Sequence, residues 1–282
     1  MVRLAFSTNA YTKFSLPEAC DRIAAAGYKA IEILADAPHA YPLTYSAHEA
    51  ARLRERLESL GVSVVAINGN TAMGYFTPVP QDLTFEPSLI SPREVHRQDR
   101  IGIIGACLAL ANRLGAPVVT ITTGQPLSGE PRELLRERLL EGLDTVVGLA
   151  DRAGVDLALE PEPGQLLETS AEFKALLDEV GHPRLGANVD VGHVWCAGDD
   201  PADSVRLLAP HLKHLHLEDI KGRRHYHLIP GEGGEIDFAG IRRALGEVGY
   251  RGAAAVELYT YKDEPDRAAR EAYAALAPLF PE

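Results

Sequence analysis

The run Leu157–Gly164, LALEPEPG, ends a short apolar stretch on Glu160. Three later stretches have the same form. ANVDVGH (Ala187–His193) reaches Asp190, HLHLED (His214–Asp219) centres on His216, and AAVELY (Ala254–Tyr259) reaches Glu257. They recur about every 30 residues, the length of one strand–helix unit. In a parallel barrel, residues at the C-terminal tips of neighbouring strands point into one common mouth. Three carboxylates crowd there only if a cation neutralises them. This spacing therefore predicts both a fold and a site.

Working outward, short β-rich runs alternate with amphipathic patterns along the whole chain. The predicted strands are Arg3–Thr8, Ala30–Leu34, Val62–Ile67, Val118–Thr122, Asp156–Glu160, Leu185–Asp190, Leu212–Leu217 and Ala253–Glu257. The predicted helices are Leu16–Ala26, Ala47–Leu60, Glu94–Leu114, Arg132–Ala153, Ala171–Val180, Ala202–Ala209, Phe238–Val248 and Asp266–Leu279. Glycines stop the helices in AAAGYKA, ESLGVSV, NRLGAPV, DRAGVDL and GEVGYRG, and a strand follows each at once. Eight such units in series predict a closed (β/α)8 barrel of the TIM type. No Gly-rich dinucleotide turn follows the first strand, which argues against a doubly wound sheet. No Ser/Gly linker or low-complexity tract divides the chain, so residues 1–282 read as one domain. Long loops follow the second, third and seventh strands, at Leu34–Thr44, Asn68–Pro92 and Glu218–Asp237. All three fall on the C-terminal face, where long loops form substrate walls.

The 282 residues are 46% hydrophobic and 24% charged, enough for a large core. The formal net charge of -12 disfavours nucleic acid and anionic lipid as partners. Cys20, Cys107 and Cys196 show no paired spacing and read as reduced thiols, pointing to the cytoplasm. The start, MVRLAFSTNAY, has no basic segment followed by an apolar one, so a signal peptide is not expected. No apolar run is long enough for a membrane span.

Glu160, Asp190, His216 and Glu257 offer oxygen-rich ligation with one imidazole. That set suits one divalent ion, Mn²⁺ first, with Mg²⁺, Co²⁺ or Zn²⁺ admitted. Taken singly, each residue reads equally well as a salt bridge, a helix cap or a satisfied histidine; four on successive strand tips do not. His193, three residues after Asp190, lies within reach of metal or substrate. Glu162 follows Glu160 in a Pro- and Gly-rich turn, where it reads either as a partner of the site or as a solvated carboxylate. In the seventh loop, EDIKGRRHYHLIPGEGGEIDF, His227 and Arg223 are candidates for a polyol or phosphate, against a plain charged loop. Asn68 among the wall amides and Trp195 beside His193 are further candidates for substrate contact. Loop aromatics such as Tyr75 and Phe76 equally suit a subunit contact, so a homo-oligomer is allowed. With no strong phosphate cradle, a small unphosphorylated sugar or polyol derivative is expected.

Together, E-P-E-P-G, D-V-G-H, H-L-H-L-E-D, H-L-I-P-G-E-G-G-E-I-D-F and GYRGAAAVEL resemble the xylose-isomerase-like superfamily of TIM barrels, the sugar phosphate isomerase/epimerase group. The resemblance spans nearly the whole chain. Its ketose 3-epimerases imply a metal held by Glu160, Asp190, His216 and Glu257. They also imply Glu160 and Glu257 as the acid–base pair and His193 on substrate oxygens. An Arg that follows the metal His in that group has no clear match, because Gly222 falls near its place beside Arg223 and Arg224. The motifs also resemble endonuclease IV, but the His ligands that family draws from earlier strands are missing, so DNA repair is not expected. The resemblance implies a metal-dependent sugar isomerase or epimerase working through an enediolate. A metal-dependent lyase or dehydratase of the same fold, similar to inosose dehydratases or cleaving a sugar derivative, is the alternative. A binding protein that kept the barrel is disfavoured by the intact glutamate pair.

Overall fold

Each amphipathic helix needs an apolar surface, and the strands supply one by closing on themselves. The computed structural model describes residues 1–127 and 129–281. Among these, the barrel strands are β1 (Arg3–Ser7), β2 (Ala30–Leu34), β3 (Ser63–Asn68), β4 (Val118–Thr122), β5 (Asp156–Glu160), β6 (Leu185–Asp190), β7 (Leu212–Leu217) and, after a separate pair β8 (Asp219–Lys221) and β9 (Arg224–Leu228), β10 (Ala253–Val256). They form a closed parallel barrel in the order β1-β10-β7-β6-β5-β4-β3-β2. The helices between them are α1 (Leu16–Ala25), α2 (Ala47–Leu60), α3 (Glu94–Leu114), α4 (Arg132–Ala153), α5 (Ser170–Val180), α7 (Pro201–Leu207), α8 (Phe238–Glu247) and α9 (Pro265–Leu276). The (β/α)8 architecture expected from the sequence is the one observed. None of the described helices is long and apolar enough to cross a membrane.

Local chemistry sets the element ends. Ser15 with Glu18, Ser46 with Glu49 and Thr169 with Glu172 form capping boxes at α1, α2 and α5. The five helix-stopping glycines, at 27, 61, 115, 154 and 249, all have positive φ.

Side chains alternate across a strand, so residues two apart share a face. The inward positions are small in the lower barrel, with Ala5, Ala30, Ala253 and Ala255 in one cluster and Ala66, Val118 and Ala158 in another. One step up each strand the inward residues turn polar: Glu32 above Ala30, Asn68 above Ala66, Glu160 above Ala158 and Glu257 above Ala255. On β6 and β7 the polar pairs are Asn188 with Asp190 and His214 with His216. The site therefore rests on a floor of alanines. The outward strand residues pack with the helices in the main apolar core.

Three features differ from the sequence expectation. β10 stops at Val256, so Glu257 lies just past the strand end. The DVGH segment begins a short extra helix, α6 (Val191–Ala197). The seventh loop is partly regular, because β8 (Asp219–Lys221) and β9 (Arg224–Leu228) pair as an antiparallel hairpin. Its turn residues, Gly222 (φ 65°) and Arg223 (φ 50°), are both left-handed, as a two-residue hairpin turn matching strand twist requires. The alternation in β9 leaves Tyr226 exposed and turns His227 inward.

The Gly-rich run after the hairpin is gathered by one carboxylate. Asp219 Oδ2 accepts N–H bonds from Gly231 (2.8 Å), Gly233 (3.1 Å) and Gly234 (2.8 Å). Asp219 is buried and its Oδ1 also accepts from the Ile220, Glu235 and Ile236 N–H groups, so its removal would take the partner from six backbone donors. Asp219→Ala should lower unfolding stability by at least about 2 kcal/mol. Denaturant melts of the two proteins check this; coincident curves would show that the loop needs no such anchor.

Candidate functional site

Strand ends bring Glu160, Asp190, His216 and Glu257 together. One possible ligand atom from each lies within 4.8 Å of all the others. His216 Nδ1 sits centrally, 3.3 Å from Glu160 Oε2, 3.6 Å from Glu257 Oε2 and 3.8 Å from Asp190 Oδ2. All four are buried, with 0% exposure at His216 and 6% at Glu257.

Each carboxylate is aimed by a dedicated partner. Asp190 caps α6, its Oδ1 accepting from His193 N at 2.7 Å. That leaves Oδ2 turned to the cluster, with no hydrogen-bond partner among the described residues. Glu160 Oε2 accepts from the side-chain amides of Asn70 (2.6 Å) and Asn188 (2.7 Å). Glu257 Oε1 accepts from those of Asn9 and Asn68, both at 2.9 Å. Asn70 is itself steadied by buried Arg100, whose Nη2 donates to the Gly69 carbonyl at 2.6 Å and the Asn70 carbonyl at 3.1 Å.

Close packing extends beside Asp190. Glu218 Oε1 accepts from Gly192 N at 2.5 Å. A Cβ at residue 192 would strike that carboxylate and the Ile220 side chain, so any larger residue there must displace Glu218.

The electrostatics follow from burying like charges together. Burial pushes the Glu160 carboxyl up, but His216 and His193 outweigh it and hold it well below the usual carboxylate range. Burial lowers His216, yet Glu32, Glu257 and Glu160 more than reverse this and raise it well above an ordinary imidazole. Glu257 is pushed up to about 8 by burial, with the Glu160, Glu32 and Asp190 charges adding against His216. Burial likewise raises Glu162 to about 8. Without a cation, the cluster thus holds protons where a metal's charge would otherwise serve. An orphaned carboxylate oxygen, two amide-clamped glutamates and one central imidazole nitrogen fit a divalent ion. Ligand bonds of about 2.0–2.2 Å leave ligand atoms separated by about 3–4 Å, the range of the three distances from His216 Nδ1.

His193 belongs to this group, its Nδ1 lying 3.2 Å from both Pro161 O and Glu160 Oε1. Asn68 bridges Glu257 and Glu32 through one amide nitrogen. His227 Nδ1 donates to the Glu257 carbonyl at 2.8 Å, and its ring packs 4.6 Å from Tyr259. Glu162 is buried nearby, its Oε2 accepting from Gln165 Nε2 at 2.6 Å. Trp195 and Arg223 stand apart from the carboxylates. The Trp195 indole N–H donates to Glu235 at 2.9 Å, and the exposed Arg223 guanidinium lies 4.7 Å over its ring. His39 ties loops together through Thr8 and the Tyr11 carbonyl.

Sequence reasoning missed four polar residues. Glu32 lies inside AIEIL, a charge in an apolar strand. Asn188 and His214 sit two residues before Asp190 and His216, and strand alternation places them one layer below. His225 meets His193, Nε2 to Nε2, at 2.9 Å because the unexpected hairpin turns it inward. The first three were accessible from period-two alternation applied to the strands themselves.

Known proteins share this fold. Residues 20–279 match the family model described as "Xylose isomerase-like TIM barrel". The chain belongs to that family. It is 26% identical over 261 residues to fructoselysine 3-epimerase of Shigella flexneri, covering 91% of this chain and 90% of that protein. It is 26% identical over 175 residues to inosose dehydratase of Clostridium perfringens, covering 52% of this chain and 59% of that one. Among solved structures it is similar to the IOLI protein with a bound zinc atom. The TM-score is 0.80 at 19% identity, over 99% of this chain and 98% of that one.

Proposed function

We propose that this chain is a divalent-metal-dependent epimerase or isomerase of a small sugar or polyol-derived carbonyl compound, with Glu160 and Glu257 as its acid–base pair. The observation that carries the reading is the placement of two buried glutamates around one imidazole nitrogen, each clamped by two amides. The similarity to a 3-epimerase over nine-tenths of both chains supports it.

Glu160, Asp190, His216 and Glu257 would hold the ion. Mn²⁺ suits this oxygen-rich set with one imidazole, and Zn²⁺, present in the related IOLI structure, is the other candidate. When bound, the ion supplies Lewis-acid polarisation of a substrate carbonyl, which acidifies the neighbouring C–H.

The protein's own groups move the proton. One glutamate removes it from the carbon beside the carbonyl, giving an enediolate. The other returns a proton, at the same carbon for epimerisation or at the carbonyl carbon for isomerisation. The amide clamps hold the carboxylates in place for this exchange and exclude competing rotamers. His193 would bind a substrate oxygen, with His227, Glu162 and Asn68 shaping the wall. Trp195 and Arg223, at the rim, would meet only the far end of a longer substrate.

Dehydration is the second reading, favoured by the inosose dehydratase similarity. There the second glutamate would give its proton to a β-hydroxyl, which would leave the same enediolate as water, and product mass separates the two outcomes.

Glu160→Gln and Glu257→Gln should each lower kcat about 10²–10⁴-fold with much smaller changes in KM. Turnover by the wild type in D₂O should place deuterium on the carbon next to the carbonyl. A screen of ketoses, inososes and keto-sugar acids by NMR reads both. Wild-type kcat in either variant removes that glutamate from the pair.

The raised groups also fix the sign of a pH effect. Below about pH 8 the metal-free site keeps the Glu257 proton, and the surrounding carboxylates hold the second His216 proton to a pH well above that of an ordinary imidazole. Cation binding must expel the Glu257 proton and the His216 Nδ1 proton, so affinity should tighten as pH rises toward 8, by up to about tenfold per unit for each proton displaced. Titration calorimetry with Mn²⁺ at pH 6, 7 and 8 tests it, and a pH-independent Kd would contradict the assignment.

A further inference from the structure

Glu32 lies on β2, across the barrel from β7, in an otherwise apolar strand. It has no exposure to solvent. A buried carboxylate is costly unless its oxygens are fully engaged. Here they are. Oε2 lies 2.9 Å from Nε2 of His216 and 2.9 Å from Nε2 of His214. Oε1 accepts from Asn68 Nδ2 at 3.1 Å, and the same amide nitrogen donates to Glu257 Oε1 at 2.9 Å.

The hydrogen positions follow from counting donors. A protonated carboxyl oxygen could donate to only one of the two ring nitrogens. An ionised one accepts from both, and two equal contacts of 2.9 Å to one oxygen fit two accepted N–H bonds, with each ring presenting Nε2–H to Glu32. For His216 this leaves the Nδ1 edge facing Glu160, Asp190 and Glu257. Asn188, which donates to Glu160, also places its Nδ2 3.2 Å from that Nδ1.

We propose that Glu32 is a positioning residue that fixes the His216 ring with Nε2 protonated and Nδ1 presented to the cation, and that through Asn68 it also sets the orientation of Glu257. His214 holds Glu32 in place from one layer below. The role rests on the four-ligand reading above and adds to it the group that orients the imidazole. A histidine that ligates a metal commonly donates its other ring N–H to such a carboxylate, and losing that partner weakens metal binding about 10–100-fold.

The test uses the full chain stripped of metal, titrated with Zn²⁺ or Mn²⁺ alone against a competing chelator. Wild type, Glu32→Gln and Asp190→Ala are compared, with circular dichroism confirming that each is folded. Glu32→Gln should bind with unchanged stoichiometry but about 10–100-fold weaker, whereas Asp190→Ala should lose most binding. Nitrogen-15 shifts of the wild-type imidazoles supply a measurement that needs no variant. His216 Nε2 should stay protonated in both the metal-free and the zinc-loaded protein, with only Nδ1 changing. Wild-type affinity in Glu32→Gln, or zinc on His216 Nε2, overturns the proposal. If wild type binds neither cation, the four-ligand reading fails, and the protonation of Nε2 in the metal-free protein alone decides the role of Glu32. The same measurement decides it if Glu32→Gln does not fold.

Discussion

Buried like charge is the constraint around which this barrel is organised. Glu160, Asp190 and Glu257 are drawn within a few ångströms of one another, out of contact with water. In that setting ionised carboxylates repel, and each has lost its hydration. The protein meets the problem with donors rather than with lysine or arginine. Asn9, Asn68, Asn70 and Asn188 direct amide hydrogens at the two glutamates, and a helix N-terminus receives Asp190. His216 stands at the centre, where it gains a proton in the metal-free state or would give it up to a cation.

This arrangement demands a rigid support, and the strands provide it. Small residues in the lower barrel let the strands close tightly. The polar layer above then inherits fixed positions, because each side chain projects from a paired backbone. The Asn68 amide on β3 and the Asn9 amide after β1 meet the Glu257 carboxylate beyond β10 only because the barrel closes. Arg100, reaching in from α3 to the carbonyls of Gly69 and Asn70, steadies the start of the loop after β3.

The loops supply what the strands cannot. The β8–β9 hairpin lifts His225 and His227 over the mouth beside His193 and leaves Tyr226 facing solvent. Asp219 then folds the glycine-rich run back beneath the hairpin through backbone N–H bonds. Chemistry is thus proposed to occur at the strand tips, while the hairpin and the rim pair of Trp195 and Arg223 shape access. The same frame would serve epimerisation, isomerisation or dehydration, since all three begin with loss of a proton beside a carbonyl. The difference between them lies in what the loops hold near the second carbon.

The sequence by itself determined the barrel and its central residues. Strand and helix periods, Gly stops and the spacing of Glu160, Asp190, His216 and Glu257 are local or nearly local signals, set by backbone geometry within single units. Strand alternation also held the information for Asn188 and His214, although it was not extracted. The tertiary structure alone decided who partners whom. Glu32 and His216 are 184 residues apart, and Asn9 and Glu257 are 248 apart. No local pattern encodes such pairs, because they exist only once β1 and β10 close the ring. The hairpin was likewise hidden, since Gly222–Arg223 is a turn whose register depends on packing against α6 and on Asp219. For the same reason the packing of Arg223 on Trp195 is legible in neither segment alone.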